Sequence, residues 1–287
     1  MAKIHVLYKN NNYEVECDLD KQVRAFRLEV QKATGLLACQ QGLSYGKDEN
    51  KVHLEVDKTL RESGVTEETV IDLKDFGKQL PFRFVYICEY VGPLAIYVLC
   101  YFISIALGFP NLVQNKIAFY MWTIHYVKRI LETIFVHEFG DMTMPFFNLI
   151  KNCTYYYGFA LVVGINVNFF PKEQYCIPMY LGLLGMIASM VSNGYCHIIL
   201  KNLRTPGSQE WKMPKGFLFD YITCANYFCE IMTWIFFDLM TGIPLMGVAF
   251  SFCGIYQMKE WSLQRHQKYQ KLFKDYPNRW ILIPYLY

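Results

Sequence analysis

The stretch NGYCHIILKNLRTPGSQEWKMPKGFLFDYITCANYFCE, residues 193–230, leaves one apolar segment, crosses a basic loop with proline and glycine, and enters the next apolar segment. At 3.6 residues per turn, Asn193 and His197 share one helical face before the loop. Asn226 and Glu230 share one face after it. Two polar stripes beside a basic loop predict a membrane-embedded pocket for a polyanionic cofactor, with its phosphates on the loop and its neutral ring deeper.

The composition of the whole chain supports a membrane protein. Of its 287 residues, 53% are hydrophobic and 17% aromatic, which is too apolar for an ordinary soluble protein. The 28 basic and 25 acidic residues give a formal charge of only +3, so no nucleic-acid partner is indicated. The ten cysteines form no CxxC pair, and several lie in apolar segments, so reduced packing residues are predicted.

Residues 1–77 predict a small α+β domain. Residues 3–8 and 13–17 alternate at period two around an Asn-rich turn, which is typical of a β-hairpin. A helix that stops at Gly35 and a closing strand near residues 70–73 follow. This order of elements resembles the ubiquitin fold. The stretch 1–20 has no apolar core, so no cleavable signal peptide is expected.

Residues 78–287 predict an all-α polytopic membrane domain with about six transmembrane helices. The first apolar segment, 84–109, has one charged residue, Glu89, and is long enough to cross a hydrocarbon core of about 30 Å. The other segments lie at about 117–136, 154–170, 176–200, 217–239 and 243–258. Basic residues concentrate after the second and fourth segments and in the C-terminal tail, so both termini are expected in the cytosol.

Ionisable residues inside the first two segments are candidates for chemistry. A bare carboxylate at Glu89 is costly unless it reaches the headgroups or meets a partner. Lys128 and Glu132 have i,i+4 spacing, and Tyr126 lies beside them. Ion pairs at a helix end would explain this pattern. A phenol beside fixed cations can also hydrogen-bond or protonate a carbonyl-type oxygen, which predicts a catalytic role.

Polar residues of the fifth segment and the tail are the other candidates. Tyr227 is predicted near the interior of the membrane, where packing or a ligand must satisfy the polar groups around it. The tail carries His266, Tyr276 and Arg279 among other aromatic and basic residues. It fits an amphipathic helix on anionic lipid or, if it folds back on the loop near Arg204, part of a cofactor site.

Several chemistries lack their motifs in this sequence. The histidines form no HxxHH or HExxH cluster, which argues against di-iron and zinc enzymes, and no metal site is predicted. No GxGxxG follows a strand, so a nucleotide would be bound outside a Rossmann fold. The sequence has no GxSxG elbow.

Taken together, these segments resemble the steroid 5α-reductase superfamily and, within it, the enoyl-CoA reductase branch. The resemblance is spread over the runs EYVGPL (89–94), HYVKR (125–129), ETIFVH (132–137), TMP (143–145), KNCTYY (151–156), LRTPG (203–207), NYFCE (226–230), DYP (275–277) and IP (283–284). The ubiquitin-like N-terminus favours the enoyl-CoA branch. So does His197, because the steroid branch has Asp at that position.

The resemblance implies NADPH-dependent reduction of a very-long-chain trans-2-enoyl-CoA to the saturated acyl-CoA, the last step of fatty-acid elongation in the endoplasmic-reticulum membrane. Other elongation enzymes and the lipid bilayer are the implied partners. The implied NADPH contacts are Asn193, His197, Arg204, Asn226, Glu230, His266, Tyr276 and Arg279. The implied catalytic residues are Tyr227, Tyr126, Glu89, Lys128 and Glu132.

In that reaction the thioester oxygen needs a hydrogen-bond donor and the α-carbon needs a proton. Tyr126, oriented by Glu89, is the expected donor, and Tyr227 the expected proton source, although the two phenols can be exchanged. Three alternatives stay open. A steroid or polyprenol enone reductase would share the fold and NADPH, a prenyl-protein methyltransferase would bind S-adenosylmethionine, and a membrane scaffold would have no turnover.

Overall fold

A computed structural model of the chain describes residues 2–46, 50–139, 143–173, 176–204 and 211–286. The chain divides into two compact units, Met1–Phe82 with Asp141–Asn148 and Arg83–Gly140 with Leu149–Tyr287. The first unit contains a small sheet with one helix, and the second is helical. This confirms the predicted succession of an N-terminal α+β region and an all-α region. The predicted boundary between residues 77 and 78 stays a prediction.

The sheet of the first unit follows from alternating side chains. Its elements are β1 (Ala2–Tyr8), β2 (Asn11–Cys17), α1 (Val23–Thr34), β3 (Gln41–Tyr45), β4 (Val52–His53) and β5 (Val70–Asp75). The strand order is β2-β1-β5-β3-β4, with β1 parallel to β5 and the other pairs antiparallel. Lys9 and Asn10 have φ values of 49° and 65°, which suit the tight turn of the predicted hairpin.

The core of the first unit lies between the sheet and α1. On β1, Ile4 and Val6 are buried while their neighbours face outward. Phe26 lies on the buried face of α1 and packs in the same core. The helix ends where Gly35 takes a φ of 76° and donates its N–H to the carbonyl of Gln31. A separate two-stranded sheet pairs β6 (Gln79–Pro81) with β7 (Thr143–Pro145).

Six α-helices form the described part of the second region. They are α2 (Phe82–Ala106), α3 (Val113–Phe135), α4 (Phe146–Phe169), α5 (Cys176–Leu203), α6 (Ala225–Met240) and α7 (Leu245–Leu272). Among the described residues, α2 and α5 are long and apolar enough to cross a membrane. This agrees with a membrane protein.

The fifth apolar segment begins differently from the prediction of a continuous span over 217–239. Residues Phe217–Asp220 form a 3-10 turn after Gly216, whose φ is 88°, and α6 begins only at Ala225. The backbone N–H groups of Thr223 and Cys224 donate to the carbonyls of residues 280 and 281 at 2.9 and 3.2 Å. The C-terminal tail therefore folds onto the start of α6, because the backbone there bonds to the tail and not within a helix.

Helices α5 and α6 are held close by a small residue. A Cβ atom at Gly182 would lie 2.5 Å from the backbone nitrogen of Met240, so only glycine permits this approach. An aromatic core lies beside this contact, with Trp122 stacked on Tyr97 at 4.4 Å between ring centroids and donating its indole N–H to the carbonyl of Pro93 at 3.1 Å. This packing sets the polar side chains of α3, α5 and α6 opposite one another.

Candidate active site

A buried carboxylate on α3 is the centre of the first polar cluster. Glu132 is 7% exposed, and its Oε1 pairs with Nζ of Lys128 at 2.7 Å. Its Oε2 lies 3.0 Å from Nη1 of Arg129 and 3.0 Å from Nδ1 of His197, which reaches across from α5. One carboxylate thus meets three donors when the His197 proton is on Nδ1. We call this cluster, Lys128, Arg129, Glu132, Asn193 and His197, the carboxylate network.

The network continues from α5 to α6 through Asn193. Lys128 donates to Asn193 Oδ1 at 2.7 Å, and Asn193 Nδ2 donates to the carbonyl oxygen of Asn226 at 2.9 Å. The side-chain Oδ1 of Asn226 is buried and has no hydrogen-bond partner among the described residues. The structure therefore brings together five of the residues that the sequence indicates, Lys128, Glu132, Asn193, His197 and Asn226. It leaves one buried acceptor open beside them.

Glu230 has a different partner. Its Oε1 lies 3.3 Å from Nε2 of His125 on α3, and it also accepts the indole N–H of Trp234 at 3.1 Å. His125 is itself buried, and its Nδ1 has no partner in the described ranges. Glu230 thus lies on the side of α6 that faces α3.

Glu89 and Tyr126, which the sequence predicts to act together, have different neighbours in the structure. Glu89 is 2% exposed and accepts its hydrogen bond from Asn152 Nδ2 on α4 at 2.7 Å. Tyr126 is enclosed by aromatic rings, with Trp122 at 5.1 Å and His125 at 5.2 Å between centroids. The reason is a close contact between α2 and α4, which brings Asn152 to the carboxylate.

That contact depends on a glycine of α2. A Cβ at Gly92 would collide with the ring of Tyr157, and the Tyr157 hydroxyl donates to the carbonyl of Cys88 at 2.8 Å. The two helices therefore approach closely along the turn that carries Glu89. Asn152, one and a half turns before Tyr157 on α4, then faces this carboxylate and not solvent.

A second polar cluster surrounds the buried hydroxyl of Thr223. Its Oγ1 lies 2.7 Å from Nδ1 of His266 and 2.8 Å from the hydroxyl of Tyr276. Arg279 donates to the carbonyl of Pro214 at 2.9 Å, and its guanidinium lies 5.7 Å from the centroid of the Tyr276 ring. The structure thus brings together the three predicted tail residues. We call Thr223, His266, Tyr276 and Arg279 the threonine cluster.

Tyr227 and Arg204 lie outside both clusters. Tyr227 is half-buried on α6, with the ring of Trp261 at 6.2 Å and the Arg265 guanidinium at 5.4 Å from its ring centroid. Arg204 is exposed and donates to the backbone carbonyl of Glu138. In the described ranges it joins no other predicted site residue, and residues 205–210 of its loop lie outside those ranges.

Metal-ligand residue types also meet at the carboxylate network. The donor atoms of Glu132, His137 and His197 all lie within 4.8 Å of one another. The positive charges of Lys128 and Arg129 already contact Glu132, so they oppose a cation at this position. Burial, and then Arg129, lower the pKa of His137 to about 3, so its ring is neutral near neutral pH. The donor set suits hydrogen bonding better than metal binding.

Comparison with known proteins gives a family. Residues 142–287 match the family model described as 3-oxo-5-alpha-steroid 4-dehydrogenase. The chain is 42% identical over 236 residues to a very-long-chain enoyl-CoA reductase of Dictyostelium discoideum, which covers 80% of this chain and 78% of that one. The chain belongs to the enoyl-CoA reductase family of the steroid 5α-reductase superfamily.

Two further relatives of this enoyl-CoA reductase family agree. A Caenorhabditis elegans protein named "Probable very-long-chain enoyl-CoA reductase art-1" is 39% identical over 247 residues, which is 80% of each chain. A mouse protein named "Trans-2,3-enoyl-CoA reductase-like" is 31% identical over 225 residues, 71% of this chain and 61% of that one. Membership makes the chain an oxidoreductase that acts on CH–CH groups, and it implies a nicotinamide cofactor.

The structure adds residues that the sequence-based list of site residues omits. Arg129 contacts Glu132 and donates to the hydroxyl of Tyr90 at 2.7 Å. Its i,i+3 spacing from Glu132 was a usable signal. No spacing or motif near Asn152 or Thr223 in the sequence marks them as site residues, because each contacts a helix or tail segment that is distant along the chain. Arg265, whose guanidinium lies beside the ring of Tyr227, is a further candidate site residue of this chain.

Proposed function

We propose that the protein reduces the double bond of very-long-chain trans-2-enoyl-CoA with NADPH and forms the saturated acyl-CoA in the last step of fatty-acid elongation. The observation that carries this proposal is the carboxylate network joined to Asn226, because it collects predicted cofactor and catalytic residues from three helices. The similarity to very-long-chain enoyl-CoA reductases supports the substrate class.

The residues present fit a nicotinamide dinucleotide. The open Oδ1 of Asn226 is a buried neutral acceptor, which suits the amide N–H₂ of the nicotinamide ring. Arg279 supplies a cation for a phosphate group, and guanidinium groups bind phosphates in a bidentate way. We assign NADPH and not NADH because the site offers more than one cation. A second cation can bind the additional phosphate that only NADPH carries. His197, Glu230, His266 and Tyr276 are proposed as the other cofactor contacts, and Arg204 as a contact from the loop.

The chain's own groups would serve the two remaining requirements of the reaction. The bound cofactor supplies a hydride to the β-carbon of the enoyl thioester. Negative charge then builds on the thioester oxygen, and a positioned donor stabilises it. We propose that Tyr126 is this donor, because aromatic rings fix it in a water-poor environment. Tyr227, which is half-buried beside the guanidinium of Arg265, is proposed to deliver the proton to the α-carbon.

The remaining predicted catalytic residues position others. Lys128 and Glu132 fix Asn193 and His197 through the contacts described above, so they orient the cofactor contacts of α5. Glu89 and Asn152 form a hydrogen-bonded pair between α2 and α4, and we propose that this pair lines the substrate side of the site. Glu89, Glu132, Asn193 and His197 are buried, so each must be satisfied by its neighbours or by a ligand.

We propose a ubiquitin-like domain over residues 1–77 and a membrane reductase domain over 78–287. The sheet order β2-β1-β5-β3-β4 with a parallel β1–β5 pair supports the first assignment. Large apolar side chains exposed on the helices, such as Leu99 at 58%, Leu184 at 64% and Phe252 at 70%, support six spans of the endoplasmic-reticulum membrane because lipid would cover them. Both termini would then face the cytosol. The other elongation enzymes are the proposed partners.

The test is NADPH oxidation by the detergent-purified protein. It is supplied in parallel with a long-chain trans-2-enoyl-CoA and with an enone sterol, and each reaction is repeated with NADH. Turnover of the enoyl-CoA with a preference for NADPH is expected. Turnover of the sterol alone would reassign the protein to the steroid branch, and the absence of both reactions in protein that binds NADPH would refute the proposal.

A further inference from the structure

Arg265 differs from the other arginines of the site because, among the described residues, its side chain has neither a carboxylate partner nor a hydrogen bond. Its guanidinium lies over the Tyr227 ring, 5.4 Å from the centroid. Within the described ranges no carboxylate lies within ion-pair distance of it, and no hydrogen bond to it is formed. By contrast, Arg129 contacts Glu132 and Tyr90, and Arg279 donates to Pro214.

This arrangement leaves the N–H donors of Arg265 without a protein partner among the described residues. A guanidinium stays protonated and offers five N–H donors, and a half-buried charge is stabilised only by an anion, by water or by an aromatic face. The Tyr227 ring satisfies one face of Arg265 but none of its N–H groups. The nitrogens of Arg265 are also not sealed inside the protein, unlike Nε of Arg279. They are therefore reachable by a molecule that binds beside Tyr227.

The surroundings indicate what that molecule offers. His266, the next residue of α7, belongs to the threonine cluster, and Lys268, three residues after Arg265, lies 3.8 Å from the centroid of the Trp211 ring. The end of α7 is thus a positively charged surface next to proposed cofactor contacts. Both reactants of the proposed reaction carry phosphate esters and neither carries a carboxylate. A phosphate oxygen is the anion that fits a planar, bidentate guanidinium there.

We propose that Arg265 is a phosphate-binding residue that holds a phosphate ester of the nicotinamide cofactor or of coenzyme A beside Tyr227. This inference rests on the proposed function for the identity of the two ligands. Because the same guanidinium covers the Tyr227 ring, phosphate binding also fixes the position of this phenol. Arg265 thereby links ligand binding to the proposed proton donor.

Equilibrium binding to the full-length purified protein tests the proposal without relying on turnover. NADPH, NADH, free coenzyme A and phosphate-free pantetheine are each titrated against wild type, Arg265→Met and Arg265→Lys. Met keeps an apolar stem against Tyr227 but removes the charge. Lys keeps the charge but loses the planar guanidinium with its paired N–H donors. Lys271→Met, an exposed position one and a half turns further on α7, is the matched control.

The expected result is a loss of affinity by about 10-fold or more in Arg265→Met for one phosphate-bearing ligand, partly restored in Arg265→Lys. Weaker binding of NADPH alone assigns the additional phosphate of NADPH, and weaker binding of NADPH and NADH together assigns the pyrophosphate. Weaker binding of coenzyme A, with the binding of pantetheine unchanged, would show that Arg265 binds a phosphate of coenzyme A. Lys271→Met should match the wild type in every titration.

Two results would overturn the proposal. The first is unchanged binding of all ligands by Arg265→Met with an unaltered melting temperature, which would leave Arg265 as a packing partner of Tyr227. The second is an equal loss for phosphate-bearing and phosphate-free ligands. A wild-type protein that binds NADPH through Arg265 but reduces no enoyl-CoA would refute the proposed function alone, so the two failures are distinguishable.

Discussion

The two polar clusters of the helical unit differ in how their charges are satisfied. In the carboxylate network, Glu132 meets Lys128, Arg129 and His197, so each cation has a carboxylate partner within the protein. The threonine cluster contains no carboxylate, and its centre is the neutral hydroxyl of Thr223. The first cluster is therefore ordered before any ligand arrives. The second leaves positive charge available to an anion, which suits the part of a site that receives phosphates.

The largest effect is expected at the phenol beside the second cluster. Tyr227→Phe removes the proposed proton donor, and a positioned general acid commonly contributes about 10²–10⁴-fold to the rate, so kcat should fall by that order. NADPH affinity should stay unchanged, because the ring and its contact with Arg265 remain. Initial rates and NADPH titrations measure the two quantities separately.

Two companion variants control this prediction. Tyr256→Phe on α7 changes a phenol that is 62% exposed and should retain full activity. Tyr126→Phe tests the exchanged assignment. If Tyr126→Phe abolishes the incorporation of a solvent proton at the α-carbon of the product while Tyr227→Phe does not, the roles of the two phenols are reversed.

The next largest effect is expected at the carboxylate network. Glu132→Gln leaves Lys128 and Arg129 without their shared carboxylate, and removing one partner of a buried ion pair costs about 3–5 kcal/mol. We expect a lower melting temperature and about a 100-fold loss of turnover, because Asn193 and His197 lose their fixed positions. Thermal unfolding and initial rates provide the measurements.

Glu55→Gln is the matched control for Glu132→Gln. Glu55 pairs with Lys58 at 3.1 Å, but its side chain is 69% exposed, so the same change should alter neither stability nor rate. A Glu132→Gln protein as stable and active as the wild type would show that the network is not what orders the site.

A smaller effect is expected at the centre of the threonine cluster. Thr223→Val removes two hydrogen bonds, each worth about 1 kcal/mol, so KM for NADPH should rise by up to about 30-fold with kcat changed little. Thr223→Ser keeps the hydroxyl and should restore the wild-type KM. Thr233→Val is the control, because Thr233 bonds only within its own helix. Equal effects of the two Val substitutions would argue for packing and against a positioning role.

The smallest effect is expected at an exposed ion pair of the sheet unit. Arg61 donates to Asp20 at 2.7 and 3.2 Å and lowers the pKa of this carboxyl. A lowered folded pKa contributes stability above the unfolded pKa, and that stability is lost as pH falls through the folded value. Asp20→Asn should therefore slightly speed amide exchange in the sheet near neutral pH and leave it unchanged in acid. A difference that grows in acid would contradict this sign.

What the sequence predicted depends on how local each feature is. The hairpin and the pairing of Lys128 with Glu132 follow from spacing along one element, and both are found. The Glu89–Asn152 bond was not predictable, since it needs the close approach of α2 and α4 at Gly92. The role of Thr223 and the late start of α6 depend on backbone pairing with the tail, which no periodicity records.

The most direct test of the central claim follows the hydride. Wild-type protein is supplied with a long-chain trans-2-enoyl-CoA and with NADPH deuterated at the transferable position of its nicotinamide ring, and the product is analysed by mass spectrometry. The account predicts saturated acyl-CoA with one deuterium at the β-carbon. With unlabelled NADPH in heavy water, it predicts deuterium at the α-carbon. Saturated product without deuterium from NADPH, or recovery of unreduced substrate alone, would contradict it.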